Sequence, residues 1–313
     1  MRDEIAAAYG GLLEPIEAPV DGSGERGLDD DVITVKGGTT NRPKLGVFFW
    51  ICVGWLGLLV FLTIFANVLP FDDPGASYFN VGADKMPSWS HLLGTDELDR
   101  DILSRIVFGA RTSLFIGVLA TVIGISLGGA LGMLSAYIRG RFDAALSFVM
   151  YCILAFPAII AVIAILDFWG RSQWHIIIVL GLFGIPLIFR LTRAATLATV
   201  TKEYVTAARS QGATSSRVLA RDVFPNVSPA LIVYAVFTLG GVIAVEGALA
   251  YLGLSVQPPA PTWGNLISEV SGDLSATIVY ILSPALALFF TLVALYSIGE
   301  RIRQRFDPGE LKL

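Results

Sequence analysis

An all-α polytopic membrane protein with six transmembrane helices is the fold class this sequence predicts, and three observations carry it. Only 15% of the 313 residues are charged and 54% are hydrophobic, where a soluble globular chain carries about 25% charge. The charges crowd into residues 1–45, 71–111, 190–222 and the last 13. Between them lie apolar blocks of the roughly 20 residues a helix needs to cross a bilayer, without the short alternating segments of a barrel.

Residues 1–45 are rich in Gly, Asp, Glu and Pro, include Asp29, Asp30 and Asp31, and show no hydrophobic period. They predict a disordered cytoplasmic tail, not a signal peptide, because the first apolar block starts late and runs long. That block, 46–69, is the first span. The outer loop 70–112 follows. Ile102, Leu103, Ile106 and Val107 share one helical face there, which predicts a short amphipathic helix lying at the outer interface.

The five-helix core is expected over 113–300. Its first span, Leu114 to Tyr137, carries Gly124, Gly128 and Gly132 every four residues, a spacing that lets two helices approach closely. The next, Ala144 to Leu166, contains Pro157, expected to kink the helix and free a carbonyl. A fourth span, Trp174 to Ala195, ends near Arg190 and Arg193, and the fifth and sixth cover Ala230–Leu252 and Ile278–Ile298, followed by the tail 301–313. With six spans both termini share one side. Seventeen of the 22 Lys and Arg then fall inside and five outside, so the bias of basic residues toward the cytoplasm places both termini there.

The stretch 201–229, TKEYVTAARSQGATSSRVLARDVFPNVSP, is the long polar run within the C-terminal half. Ala207, Ala208 and Ala213 favour helix, Gly212 interrupts it, and Thr214 or Ser215 can cap a second helix that Pro225 would stop before the fifth span. The composition predicts two short helices around a tight turn at the inner membrane surface. An ordinary solvated connector is the competing reading, though 29 residues is long for one.

No catalytic residues emerge. No lysine follows a phosphate-loop frame, and no G-x-S-x-G, H-E-x-x-H or C-x-x-C occurs. The two cysteines sit in apolar blocks, and His91 and His175 lie far apart without cysteines beside them, so no metal site is expected. A net charge of −4 without a basic run argues against nucleic acid. Glu246 lies alone among apolar residues of the fifth span. A carboxylate there either lines the translocation pathway or is hydrogen-bonded so as to pin helices together.

Four stretches, HLLGTDELDRDILSRIVFGARTSL, EYVTAARSQGATSSRVLARDVFPN, LGLSVQPPAPTWGNLISE and GERIRQRFDPGE, make the chain from about 46 to 309 resemble the C-type permease subunits of dipeptide, oligopeptide and nickel ABC importers. The resemblance implies the type I importer permease fold and a coupling loop that docks on an ATPase subunit. Glu203, Tyr204, Ala207, Ala208, Arg209, Gly212, Ala213, Arg217 and Pro225 are the residues it points to, with Ala207, Ala208 and Gly212 on the A-A-x-x-x-G core. Thr206 stands where the general motif has a glutamate, so Glu203 or Arg209 would supply that contact.

The resemblance further implies a homologous second permease, ATP-binding subunits that hold the ATP and Mg, an external substrate-binding protein and a bacterial inner-membrane location. No cofactor is expected in this chain. Import of di- or oligopeptides is the implied activity, with nickel or another small solute as the alternative. An ion-driven secondary transporter would require inverted repeats and more intramembrane ionisable groups than Glu246.

Overall fold

The computed structural model describes residues 46–75, 87–89, 91–270 and 278–306; the expected tail over 1–45 and residues 307–313 lie outside them. Helix α1 covers Val47–Phe65, α2 Ile102–Ile138, α3 Gly140–Ala155, α4 Ala158–Trp169 and α5 Gln173–Val200. The short α6 (Glu203–Ser210) and α7 (Ser215–Val218) precede α8 (Phe224–Tyr251), α9 (Trp263–Val270) and α10 (Ile278–Phe306). Five helices are long and apolar enough to cross a membrane, and the count is six when the bent pair α3 and α4 is taken as one span.

The glycine stripe explains how α2 and α5 meet. A Cβ on Gly128 would stand 2.8 Å from the Ile185 carbonyl oxygen, and one on Gly132 2.6 Å from that of Phe189. From the other side, a Cβ on Gly181 would stand 2.8 Å from the Ile123 Cβ. Backbone therefore rests on backbone at successive turns, which only small residues permit. Gly132→Val is expected to cost about 1–3 kcal/mol or more by overpacking, read as a lower unfolding midpoint in detergent.

Two expected boundaries change. The amphipathic segment before the second span does not lie flat at an interface. It forms the first turns of one 37-residue helix, with Asp101 capping the Ser104 amide at 2.7 Å. Its apolar face has a protein partner: Ile102, Ile106 and Ala110 are buried with Trp263 and Leu266 of α9, and the Trp263 indole donates to the Ile106 carbonyl at 3.1 Å. Secondly, Pro157 does more than kink the third span. The chain turns by 84° between α3 and α4.

At the end of the bundle away from α6, a buried cluster joins three segments. Arg105 Nη1 lies 2.6 Å from Asp96 Oδ2, and its two terminal nitrogens meet the Glu269 carboxylate at 2.7 and 2.9 Å. Arg100 Nε donates to Asp96 at 2.7 Å and the Tyr280 hydroxyl to Glu269 at 3.2 Å. Ser104 Oγ also donates to the Asp72 carbonyl. Helix α9, in the Pro-rich stretch between the fifth and sixth expected spans, packs so closely on α8 that a Cβ on Gly264 would stand 2.3 Å from the Gly247 carbonyl oxygen.

Candidate functional site

The hairpin between α5 and α8 is built from a buried valine seat and an exposed crest. Val205, Val218 and Val223 are fully buried, packed with Val200, Ile188 and Val227. They are spaced so that α6, α7 and the turn after α7 each contribute one anchor. Around them Glu203, Tyr204, Ala207, Arg209, Gly212, Arg217 and Pro225 are exposed, while Ala208 and Ala213 are half-buried against the seat.

The A-A-x-x-x-G spacing is a helix-ending motif in physical terms. The Ala213 amide donates to the Ala208 carbonyl at 3.1 Å and the Gly212 amide to the Arg209 carbonyl at 3.0 Å, the paired bonds that close a helix on a left-handed residue. Gly212 is that residue, at φ +80°. A Cβ there would meet nothing within 4 Å, so conformation demands the glycine, not crowding within this chain. Gly212→Ala should cost about 1–2 kcal/mol of hairpin stability, seen as faster protease cleavage at 210–214 with the helical content unchanged. Arg209 lies over the Tyr137 ring at 4.5 Å, a cation–π contact that ties the crest to the end of α2.

Pro225 does not stop the second helix, as the sequence suggested. Between α7 and α8 the chain makes a π-helical turn over Leu219–Val223, with the Phe224 amide bonded to the Leu219 carbonyl. The wider turn accommodates a proline that lacks an amide and would otherwise clash with the preceding turn. Asn226 Nδ2 donates to the Asp222 carbonyl at 2.8 Å. The result is an unbroken helical path from Ser215 to Tyr251.

The hairpin is continuous through α5 and α8 with an apolar cavity of about 520 Å³, bordered by α4, α5, α8 and α10 and including Ile159, Phe183, Tyr234, Phe237, Val245 and Tyr296. Glu246 does not line it. Its side chain is 1% exposed and faces the other way, accepting from Ser113 of α2 at 3.0 Å and from Ser255 of the α8–α9 loop at 2.8 Å. Of the two readings the sequence left open, the arrangement matches the one in which Glu246 pins helices together. Among the described residues no group of three His, Cys, Asp or Glu could hold a metal ion.

Sequence reasoning missed two clusters. One is the Asp96–Arg105–Glu269 cluster described above. The other lies at the hairpin end of the bundle, where Arg193 of α5 grips Asp143 of α3 through two bonds of 2.6 Å, with Ser135 at 2.5 Å. Neither arginine has a local sign of these partners in the sequence: Asp143 lies 50 residues from Arg193 and Glu269 lies 164 from Arg105. The Asp143 carboxylate at the start of its span was the available signal.

Comparison with known proteins agrees with this geometry. Residues 120–311 match the family described as binding-protein-dependent transport system inner membrane component. The chain is 33% identical over 253 residues to a glutathione transport system permease protein, GsiD, of Pectobacterium atrosepticum, covering 80% of this chain and 83% of that one. It is 34% identical, with the same coverage, to the GsiD of an Escherichia coli strain. A solved structure of the MetNI methionine ABC transporter in an inward-facing conformation shares the fold, with a TM-score of 0.56 at 18% identity, covering 66% of this chain and 97% of that one. By these matches the chain belongs to the family of binding-protein-dependent transport system inner membrane components, the multi-pass permease subunits of ABC importers.

Proposed function

We propose that this permease forms half of a pathway for short peptides and is worked through the α6–α7 hairpin by a separate ATPase. The carrying observation is the hairpin itself: an exposed crest of Ala207, Arg209 and Gly212 stands on a fully buried seat and runs without a loop into α8. Small residues at the crest let a partner surface approach the backbone, and Glu203, Arg209 and Arg217 flank it with charge. Because ATP and Mg would sit on the partner, this chain supplies force transmission and a route, not chemistry. The hairpin lies on the cytoplasmic side in this reading, which the excess of Lys and Arg on that side supports. A homologous second permease and an external binding protein complete the assembly.

The peptide assignment rests on relatives whose names specify glutathione transport. The test is co-purification with transport. Ala207→Arg is expected to leave the permease folded in the membrane, release the ATPase and abolish uptake of a labelled peptide. Retained ATPase and full uptake with that variant would overturn the coupling role. Uptake of nickel, but of no peptide, by the intact assembly would overturn the substrate class and leave the coupling role standing.

A further inference from the structure

Gly241 is a glycine of α8 that neither conformation nor packing within the chain demands. Its backbone is helical, outside the left-handed region, and a Cβ there would meet no atom within 4 Å. Other glycines of the helix differ. A Cβ on Gly240 would stand 3.4 Å from the Tyr296 ring, and one on Gly247 3.3 Å from the Leu288 side chain. Glycine is the poorest helix former after proline, so a mid-helix glycine without either role marks space kept for something else. That space is the cavity of about 520 Å³, which Gly241 borders.

Tyr234, Thr238, Gly241, Val245 and Leu249 recur at helical spacing and all line the cavity. One stripe of α8 therefore forms a wall, interrupted at Gly241 by a missing side chain. Among the described residues that border the cavity, none carries a charge. The hydroxyls of Tyr234, Thr238 and Tyr296, on the same wall, have no hydrogen-bond partner among the described residues. An acyl chain would leave those hydroxyls unpaired, whereas a peptide offers them its own amides and carbonyls. A charged side chain would lose its water there without gaining a partner. The occupant that fits is a peptide presenting an apolar side chain to the gap.

We propose that Gly241 sets the size limit of this permease, holding open in an uncharged wall the space that an apolar side chain of a passing peptide fills. The proposal rests on the peptide-permease reading given above, and ATPase capture tests the coupling part of that reading independently. Gly241→Ala, Gly241→Val and Gly241→Leu close the gap in steps. Each should hold its ATPase and unfold in detergent no earlier than the parent chain. Uptake of labelled leucyl-leucine by the full assembly is expected to fall stepwise, by about tenfold at leucine, the scale on which a single methylene discriminates in an apolar pocket. Uptake of glycyl-glycine should change little.

Gly241→Cys gives a readout that needs no transport, in a chain carrying Cys152→Ser because Cys152 is exposed. A water-soluble maleimide should label it in the assembled complex, and excess leucyl-leucine should slow that labelling. Equal loss of both peptides, or undiminished leucyl-leucine uptake in Gly241→Leu, would overturn the size limit. Labelling by a lipid-soluble maleimide alone would mean that acyl chains occupy the gap, overturning the proposal while the permease role stands. A parent assembly that takes up no dipeptide would overturn the peptide reading itself, and the size limit with it.

Discussion

Replacing Arg105 with leucine is expected to destabilise the folded chain by about 3–5 kcal/mol, since removing one partner leaves buried carboxylates without compensation. The Arg105 side chain is 2% exposed and that of Asp96 is 1% exposed, and Arg105 also holds both oxygens of Glu269. Arg105→Lys should recover only part of the loss, because a single ammonium cannot reproduce the forked contact. Thermal unfolding in detergent, with protease sensitivity around residue 270, reads both variants. Unchanged stability of Arg105→Leu would mean that water, not Arg105, satisfies the two acids.

The same cluster makes the far end of the bundle acid-sensitive. Burial alone would raise the Glu269 carboxyl, but the hydrogen bond and charge of Arg105, with the charge of Arg100, hold it below the usual carboxylate value. A group whose folded value is depressed stabilises the fold above its unfolded value, and that contribution disappears as pH falls through the folded value. Loosening of α9 is therefore expected only in acid below the ordinary glutamate range. Glu269→Gln should flatten that acid limb when unfolding is followed against pH.

Glu246→Leu is the second large effect, expected to cost about 2–3 kcal/mol because two buried hydroxyls lose their acceptor. Ser113 and Ser255 both donate to that carboxylate and are themselves fully buried. Glu246→Gln keeps an acceptor for one of them and should lose much less. If uptake falls in step with stability across the pair, Glu246 acts by joining α2 to the α8–α9 loop. Loss of uptake in Glu246→Gln at full stability would restore a direct part in the pathway.

Much of this was legible in the sequence because the signals were local. Apolar length gave the candidate spans, the glycine spacing gave a close helix contact without naming its partner, and A-A-x-x-x-G gave the hairpin turn. What escaped depended on partners remote in the chain. Ile102 and Ile106 read as an interfacial stripe because their true neighbours, Trp263 and Leu266, lie on a segment that looked like a loop. Glu246 stayed open between lining the pathway and pinning helices because the serines that hold it are small and common. Pro225 read as a stop because a π turn leaves no residue signature of its own.

That π turn has a mechanical consequence. From Ser215 to Tyr251 the backbone is one 37-residue rod, about 55 Å long. Near its distal tip, Gly247 bears directly on Gly264 of α9. A tilt imposed at the crest must reappear at that bearing point, unless the loosened turn at Leu219–Val223 flexes and absorbs it. The two faces of the molecule thus share a single lever, with its one compliant joint placed beside the hand that moves it.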